Sequence, residues 1–382
     1  MKITALETFR IPQFPLSVFL RVHTDEGLVG LGESTNEPRS VEASIHDFCA
    51  PFALGQDPFS NELIWKRIYD QSNFQGSAGA ELRALSALDI ALWDLKGKAL
   101  NTPLYTLLGG KVRGAVPIYN TCGDHGGRIT GRKDNDWFMQ DAGTLAEDLL
   151  QSGIKSMKIW PLDGLARPSL GQTIRYEELR KGIEPFEKIR AAVGDRMEVA
   201  LECHSVWNIP SAIRIAKALE DYAIKWIEDP ILVDDVANLA ALRRKINIPL
   251  LASERLFTRA QYMPLLKAEG ADIVMIDLSW SGGLTEGKKI ASLADAHRLP
   301  VTTHNCGGPV LTKAAAHFNI STTNSIEMET VRAIYRTFPE IIEEDIGISS
   351  GEIHLSEAPG LGLNFQKGVF ERADVETRIS KL

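Results

Sequence analysis

Three glutamates recur at equal intervals in the middle of the chain, each directly after a short apolar run. Glu202 ends MEVALE, Glu228 ends IKWIE and Glu254 ends IPLLASE, with 26 residues from one to the next. A βα unit of a (β/α)8 barrel takes roughly 30 residues, and the carboxyl ends of its strands meet at one face. Adjacent carboxylates repel one another unless a cation lies between them, and hard oxygen ligands suit Mg²⁺. The spacing therefore predicts a divalent metal site, with Mg²⁺ as the expected ion.

Other ionisable residues follow apolar runs at nearly the same interval. Asp277 ends IVMID, His304 ends PVTTH, and Lys158 lies near the end of an earlier run, SMKI. A carboxylate on a neighbouring strand can orient one ring nitrogen of a histidine, so we expect Asp277 and His304 to form an acid–base dyad. The run NSIEMET offers two further acids, Glu327 and Glu329. Packing of a barrel core does not require an ionisable residue at the end of each successive strand, so this pattern indicates a functional site.

The first 113 residues differ in pattern from the rest and predict a separate α+β domain. Three alternating apolar runs with turn residues between them predict an antiparallel meander, and apolar positions three and four apart predict helices after it. The predicted strands are Lys2–Phe9, Phe19–His23 and Leu28–Glu33, and the predicted helices are Val41–Phe52, Asn61–Gln71 and Ala80–Lys98.

From Val116 onward, short apolar runs alternate with amphipathic helices, a pattern typical of a parallel sheet. This predicts an α/β barrel domain over residues 114–350, and residues 351–382 are expected to return to the first domain. The predicted strands lie near 116–119, 156–160, 198–202, 225–228, 249–252, 273–277, 300–304 and 325–327. The predicted helices are Ala142–Gln151, Tyr176–Ala192, Ser211–Asp221, Val236–Lys245, Thr258–Ala268, Leu284–His297 and Val310–His317.

The composition of the chain indicates which binding partners and which cellular compartment to expect. The 382 residues carry a formal net charge of −8, which argues against nucleic acid or an anionic membrane as a partner. No run approaches the 18 apolar residues that a spanning helix needs. The four cysteines form no CxxC pair, and such sparse use favours a reducing compartment, so we expect a cytoplasmic protein.

Two predicted loops at the active face exceed the usual few residues and are expected to shape substrate specificity. They span Gly123–Asp141 and Pro161–Arg175. The first carries cationic residues that could meet an anionic substrate, although such charges are more often only solvated: His125, Arg128, Arg132 and Lys133.

The ordered set KxxP…ExH…EDP…SE…D…H…E resembles the enolase superfamily, in the branch typified by mandelate racemase. The segment ALDIALWDLKGKALNTPLYTLLGG at residues 87–110 is similar to the capping-domain helix of that branch, as is PGLGL near the C-terminus. The resemblance covers the whole chain. It implies a modified TIM (β/α)7β-type barrel with an N-terminal α+β capping domain, assembled as a homo-oligomer, either a dimer or an octamer.

The family also implies a chemistry. Its enzymes remove the proton from the carbon α to a carboxylate, and a metal ion stabilises the ene-diolate with a lysine or histidine as base. Here Lys158 or His304 would be that base. His204 shares strand parity with Glu202, and some acid-sugar dehydratases of the family carry a histidine there as the acid for the leaving hydroxyl. Glu327 resembles the glutamate on the eighth strand that hydrogen-bonds the substrate carboxylate, and Glu329 is the second choice.

Two departures from the family pattern bear on the reaction. The first metal ligand is Glu202 where the family usually has aspartate, and Ser156 stands where racemases of this branch carry a second lysine. The second departure weakens a two-base racemase mechanism.

The leading hypothesis is therefore a Mg²⁺-dependent dehydratase that converts an acid sugar, a polyhydroxylated monocarboxylate, into a 2-keto-3-deoxy acid. Trp160, Trp207 and Trp280 are consistent with a carbohydrate pocket. The main alternative is a racemase, epimerase or cycloisomerase that uses the same intermediate, with Lys158 and His304 on opposite faces. A metal-stabilised binding protein without catalysis would not need Lys158, Asp277 and His304.

Overall fold

An antiparallel sheet with helices on one side forms the N-terminal part of the protein. The computed structural model describes residues 1–124 and 133–382. Strands β1 to β3 are Ile3–Arg10, Ser17–Thr24 and Val29–Thr35. Helices α1 to α5 are Pro38–Ser44, Ala50–Ala53, Asn61–Ser72, Ala80–Ala99 and Leu104–Leu107, and a π-helical turn, Ile45–Cys49, joins α1 to α2. The predicted meander and the predicted helices at 61–71 and 80–98 are present, whereas the helix predicted over 41–52 is divided by the π turn.

Eight parallel strands follow and close into a barrel. Each pairs with the next along the chain, and the last pairs with the first through Met328 and Ile118, which confirms the predicted barrel fold. The strands β4 to β11 are Val116–Thr121, Ser156–Ile159, Glu198–Glu202, Ile224–Glu228, Leu250–Ala252, Ile273–Asp277, Val301–His304 and Ser325–Thr330. The helices α6 to α14 are Asp134–Gln151, Asp163–Ala166, Tyr176–Val193, Ile209–Leu219, Val236–Arg243, Thr258–Lys267, Gly283–Ala296, Pro309–Ile320 and Arg332–Tyr335.

The interior of the barrel is a packed core. Tyr119, Ala200, Trp226, Leu251 and Met275 form a buried cluster contributed by five strands. Side chains from several strands fill the inside of such barrels in layers. The chemistry can therefore take place only at the open end of the strands.

The C-terminal segment divides between the two domains. Strands β12 (Ile348–Ser349) and β13 (Glu352–Ile353) form a hairpin that pairs with β4 of the barrel. The residues after this hairpin contact the first domain: Gly360 N donates to Thr102 O at 2.9 Å, Leu361 N donates to Asp94 Oδ1 at 2.8 Å, and β14 (Glu376–Lys381) pairs antiparallel with β1. The domain boundary expected at residue 351 stays a prediction. In the part of the chain that the structure describes, no helix is long and apolar enough to cross a membrane.

Buried acids of the capping domain bind the amino ends of two barrel helices. Glu33, at the end of β3, accepts a hydrogen bond from Leu311 N at 2.9 Å, in the first turn of α13. Asp89, in α4, accepts from Thr285 N at 2.8 Å, in the first turn of α12. The first turns of a helix have N–H groups without intrahelical partners, and a carboxylate there is favourable. These contacts fix the capping domain over the open end of the barrel.

A buried histidine in α13 gives the fold a pH dependence. His317 accepts from Tyr105 N through Nδ1 and donates to Leu361 O through Nε2, which requires a neutral ring. Burial lowers the pKa of His317 from 6.5 to about 3. Because the pKa is lowered on folding, the stabilisation is present above pH 6.5 and is lost as the pH falls toward 3. The free energy of unfolding should fall by about 2 kcal/mol between pH 7 and 5 on account of this residue.

Urea unfolding of the wild type and His317→Gln at several pH values measures this contribution as a difference between the two proteins. The difference should shrink as the pH falls. His297→Gln, at an exposed histidine, is the control and should leave the pH dependence unchanged. An identical pH dependence in wild type and His317→Gln would contradict the assignment.

Candidate active site

The carboxyl ends of the barrel strands open into a cavity of about 420 Å³ that lies under the capping domain. The capping domain contributes four residues to its wall, namely Leu16, Thr35, Asn36 and Arg83. The barrel contributes most of the ionisable residues singled out from the sequence: Lys158, Glu202, His204, Glu254 and His304. The cavity has the size of a small-molecule site.

The three predicted metal ligands converge. Glu202, Glu228 and Glu254 are buried, and one carboxylate oxygen of each lies within 4.8 Å of the others. Glu202 and Glu228 are direct neighbours across strands β6 and β7. Burial raises the pKa of Glu202 to about 7. Burial and the charge of Glu202 raise the pKa of Glu228 well above its usual range.

The donor set fits a divalent cation. Three buried carboxylates bring three negative charges together, and Lys158, which lies 2.7 Å from Glu228 and 3.3 Å from Glu202, supplies only one positive charge. Buried charges are costly unless they are paired or coordinate a metal. Carboxylate oxygens are hard ligands of the kind that magnesium and calcium bind. The glutamate cluster can therefore hold a divalent metal ion.

Lys158 is held by acids on three sides. Besides Glu228 and Glu202, its Nζ lies 3.0 Å from Glu329. Burial alone would lower the pKa of Lys158, but the charges of Glu228 and Glu329 raise it well above its usual value. An ammonium in this position can bind an oxygen of an anionic substrate, and it is poorly suited to remove a proton from carbon.

His304 and Asp277 form the expected pair at the ends of neighbouring strands, where they are register partners. His304 Nδ1 donates to Asp277 Oδ2 at 2.6 Å, and the other oxygen of Asp277 accepts from Ser279 N. His304 Nε2 points to the cavity side, 2.9 Å from Glu254 Oε2. Burial opposes the charged imidazolium, but the charge of Glu254 raises the pKa of His304 well above 6.5. The dyad can therefore carry a proton at Nε2.

A second histidine–aspartate pair lies on the opposite wall. His204 Nδ1 donates to Asp163 Oδ2, which leaves Nε2 as the nitrogen available to the cavity. Asp163 begins the short helix α7, and Trp160 packs edge-on against the imidazole with ring centroids 5.7 Å apart. Asp163 was not predicted, because it lies in the long loop after β5 and only the folded chain brings it to His204.

The structure places the two candidate glutamates of the eighth strand differently, and this favours Glu329 over Glu327. Glu327 does not line the cavity; its Oε1 pairs with Lys225 Nζ at 2.5 Å, one pleat deeper in the barrel. Glu329 lines the cavity, accepts from Asn305 N at 3.0 Å and from the Thr121 hydroxyl, and pairs with Lys158. Strand β11 extends to Thr330 instead of ending at 327, so its catalytic end lies farther along the chain.

Glu329→Gln should therefore lower kcat/KM by about 10- to 100-fold, because a hydrogen bond to a charged group contributes roughly 1.5 to 3 kcal/mol and each factor of ten corresponds to about 1.4 kcal/mol. Glu327→Gln changes the same side chain two residues away and should leave the activity of the folded protein near that of the wild type. Steady-state kinetics with an acid-sugar substrate decide between them. A large loss in Glu327→Gln and none in Glu329→Gln would restore the original assignment.

The capping domain supplies a cation that sequence patterns did not reveal. Arg83, at the start of α4, donates to Thr35 O at 2.7 Å and lies 4.1 Å above the ring of Trp280. Trp280 in turn packs against the imidazole of His304, with centroids 5.0 Å apart. Trp160 and Trp280 line the cavity as expected, whereas Trp207 is buried behind it.

The cationic loop predicted after β4 falls partly outside the described residues. His125, Arg128 and Arg132 lie outside them. Lys133, at the edge of the described part, pairs with Asp124 Oδ2 at 2.8 Å.

Two family models match the chain. Residues 7–109 match the mandelate racemase/muconate lactonizing enzyme N-terminal domain, and residues 141–369 match the enolase C-terminal domain-like model. Among curated proteins, the chain is 33% identical to a D-galactonate dehydratase of Ralstonia nicotianae, over 98% of this chain and 94% of that protein. It is 31% identical to a D-xylonate dehydratase of Haloferax volcanii, over 98% and 89%.

Solved structures agree with these matches. An enolase of the mandelate racemase subgroup from Agrobacterium tumefaciens superposes with a TM-score of 0.90 at 39% identity, and the match covers 100% of this chain and 99% of that one. An enolase protein from Sargasso Sea environmental sequencing superposes with a TM-score of 0.91 at 38% identity, over 100% and 99%. Members of this superfamily typically use a divalent metal. The two family models and the curated relatives thus show that the chain belongs to the enolase superfamily, in the mandelate racemase-like branch, as an enzyme of the hydro-lyase (dehydratase) type.

Proposed function

We propose that the protein is a Mg²⁺-dependent dehydratase of an acid sugar, a sugar monocarboxylate, and that its product is a 2-keto-3-deoxy acid. One observation carries the proposal: two histidine–aspartate pairs, His304–Asp277 and His204–Asp163, face one cavity beside the glutamate cluster. Elimination needs a base for the α-proton and an acid for the departing hydroxyl. One pair is available for each task.

Each residue of the site has a separate role in the proposed reaction. His304 in its neutral form, which a cation on Glu254 would favour by offsetting the charge of that acid, takes the proton from the carbon α to the carboxylate at Nε2. The Lys158 ammonium, held by Glu329, binds a carboxylate oxygen. A cation held by the three glutamates would supply positive charge to offset the charge that develops on that carboxylate. His204 Nε2 then donates its proton to the β-hydroxyl, which leaves as water. The C–H and C–O bonds are broken, and the enol that remains tautomerises to the 2-keto acid.

The names of the relatives support the substrate class. D-Galactonate and D-xylonate, the substrates in the names of the curated relatives, are both sugar monocarboxylates. The cavity carries polar and charged groups from both domains, which suits a polyhydroxylated chain.

The alternative reaction, racemisation or epimerisation, needs a second base opposite His304. The geometry offers Lys158 for that role, but the acids around it raise its pKa and favour the ammonium form. Ser156, where racemases have a further lysine, accepts a hydrogen bond from Lys225 and carries no proton-transfer group. This disfavours the two-base mechanism.

The test is a screen of acid sugars with Mg²⁺, in which 2-keto acid formation is followed as the semicarbazone. His204→Gln should lower product formation by about 10²- to 10⁴-fold, the usual contribution of a general acid. The variant should still exchange the α-proton in deuterated water, because His304 remains. Exchange without any 2-keto acid in the wild-type protein would instead favour the racemase or epimerase reaction.

Three properties of the protein remain predictions: its compartment, its oligomeric state and its partners. Its four cysteines are free, which suits a reducing compartment such as the cytoplasm. The family resemblance predicts a dimer or an octamer, and light scattering on the purified protein would measure its mass in solution. Nucleic acid and membranes are not expected partners, given the net charge of −8.

A further inference from the structure

The cavity contains a second group of metal-ligating side chains beside the glutamate cluster. A ring nitrogen of His304, the sulfur of Cys306 and a carboxylate oxygen of Glu329 lie within 4.8 Å of one another. His304 ends strand β10, Cys306 follows two residues later, and Glu329 comes from the adjacent strand β11. All three line the same cavity. The proposed dehydration gives Cys306 no role.

The chemistry of these three ligands differs from that of the glutamate cluster. Magnesium prefers hard oxygen ligands, whereas a set of one nitrogen, one sulfur and one oxygen suits zinc and similar ions. Catalytic and accessible zinc sites commonly have three protein ligands and leave a fourth position open. Here that position faces the cavity.

Two of the three side chains, His304 and Glu329, are oriented by hydrogen bonds to other residues. His304 Nδ1 is fixed by Asp277 at 2.6 Å, so the nitrogen on the cavity side is Nε2, which lies 3.7 Å from Glu329 and binds an ion when its proton is released. Glu329 is oriented by Asn305 N at 3.0 Å and by the Thr121 hydroxyl. A carboxylate behind a ligating histidine is the usual arrangement in zinc sites, because it fixes the ring and raises its basicity.

We propose that His304, Cys306 and Glu329 form a second divalent-cation site, selective for zinc-like ions over magnesium. An ion there takes the lone pair of His304 Nε2, the atom that removes the α-proton, and therefore inhibits the enzyme. The inhibition rests on the proposed function, but the binding does not. Glu254 lies 2.9 Å from His304 Nε2, so the two sites share a wall.

Binding is tested without any substrate. Wild-type protein in excess Mg²⁺ is titrated with Co²⁺, whose bond to a thiolate gives a charge-transfer absorption band, and with Zn²⁺ by calorimetry. The wild type should show the band, and Cys306→Ala should lose it. The variant should also bind Zn²⁺ at least about tenfold more weakly, because removal of even a residue behind a ligand weakens metal binding by about 10- to 100-fold. Cys49→Ala, at a buried cysteine of the capping domain, is the control and should retain both.

The inhibition is tested next, with the activity of each protein compared with its own value without Zn²⁺. Zn²⁺ should inhibit the wild type even in excess Mg²⁺, and Cys306→Ala should need at least about tenfold more Zn²⁺ for the same loss. Zn²⁺ binding that is unchanged in Cys306→Ala and is relieved by more Mg²⁺ would place the ion on the glutamate cluster and overturn the proposal. A wild-type protein that binds Co²⁺ through Cys306 but dehydrates no acid sugar would refute the proposed function and leave the second site standing.

Discussion

His304→Asn should lower the rate of 2-keto acid formation by about 10²- to 10⁴-fold, because it removes the group that takes the α-proton. Asparagine has nearly the shape of the imidazole near the backbone and keeps a polar group toward Asp277, so the fold should be retained. The same variant should also lose α-proton exchange in deuterated water. That double loss distinguishes it from His204→Gln, which should lose only the elimination.

The exchange measurement decides which residue is the base. The matched control is His297→Asn, at an exposed histidine of the barrel, which should keep both activities. If His304→Asn still exchanged the α-proton at the wild-type rate, Lys158 would have to be the base, and the role of its three acidic neighbours would need another explanation.

Glu228→Gln should weaken the binding of Mg²⁺ to the glutamate cluster and thereby stop product formation. It replaces the central, fully buried acid of the glutamate cluster with a neutral side chain of the same size. Loss of a direct ligand should weaken metal binding by more than about 100-fold, since residues behind the ligands alone contribute 10- to 100-fold. Without the cation, product formation should fall below detection at ordinary Mg²⁺ concentrations.

A stability measurement separates metal binding from catalysis. Mg²⁺ at 100 times its dissociation constant should stabilise the wild type by about 2.7 kcal/mol. The variant should show no such gain. Glu327→Gln is the control and should respond to Mg²⁺ as the wild type does. Equal stabilisation of wild type and Glu228→Gln would show that the ion binds elsewhere.

Much of the barrel site follows from one regularity of the sequence. In a barrel of parallel strands, the residues at the strand ends are separated in sequence by about the length of one βα unit and lie at one face. The equal spacing of Glu202, Glu228 and Glu254 is therefore enough to predict that they lie together. His304 and Asp277 followed for the same reason, because they end neighbouring strands.

The sequence is less informative where that regularity does not apply. Glu327 and Glu329 point to the same side of strand β11, and side-chain alternation cannot tell which of them is nearer to the open end. Only the length of the strand decides this, and strand ends are the least predictable part of an element. Asp163 contacts His204 from the segment after β5, and Arg83 lines the cavity from the other domain. No local sequence pattern describes either contact.

The buried acids Glu33 and Asp89 have a consequence for how this protein can be taken apart. Helices α12 and α13 begin in the barrel but receive their amino-terminal carboxylates from the capping domain. An excised barrel would lose both carboxylates at these helix N-termini, so we expect it to be less stable than the intact protein. A chimera that exchanges the capping domain for that of a relative, to alter the choice of sugar, should therefore be more stable if the donor carries acids at both positions.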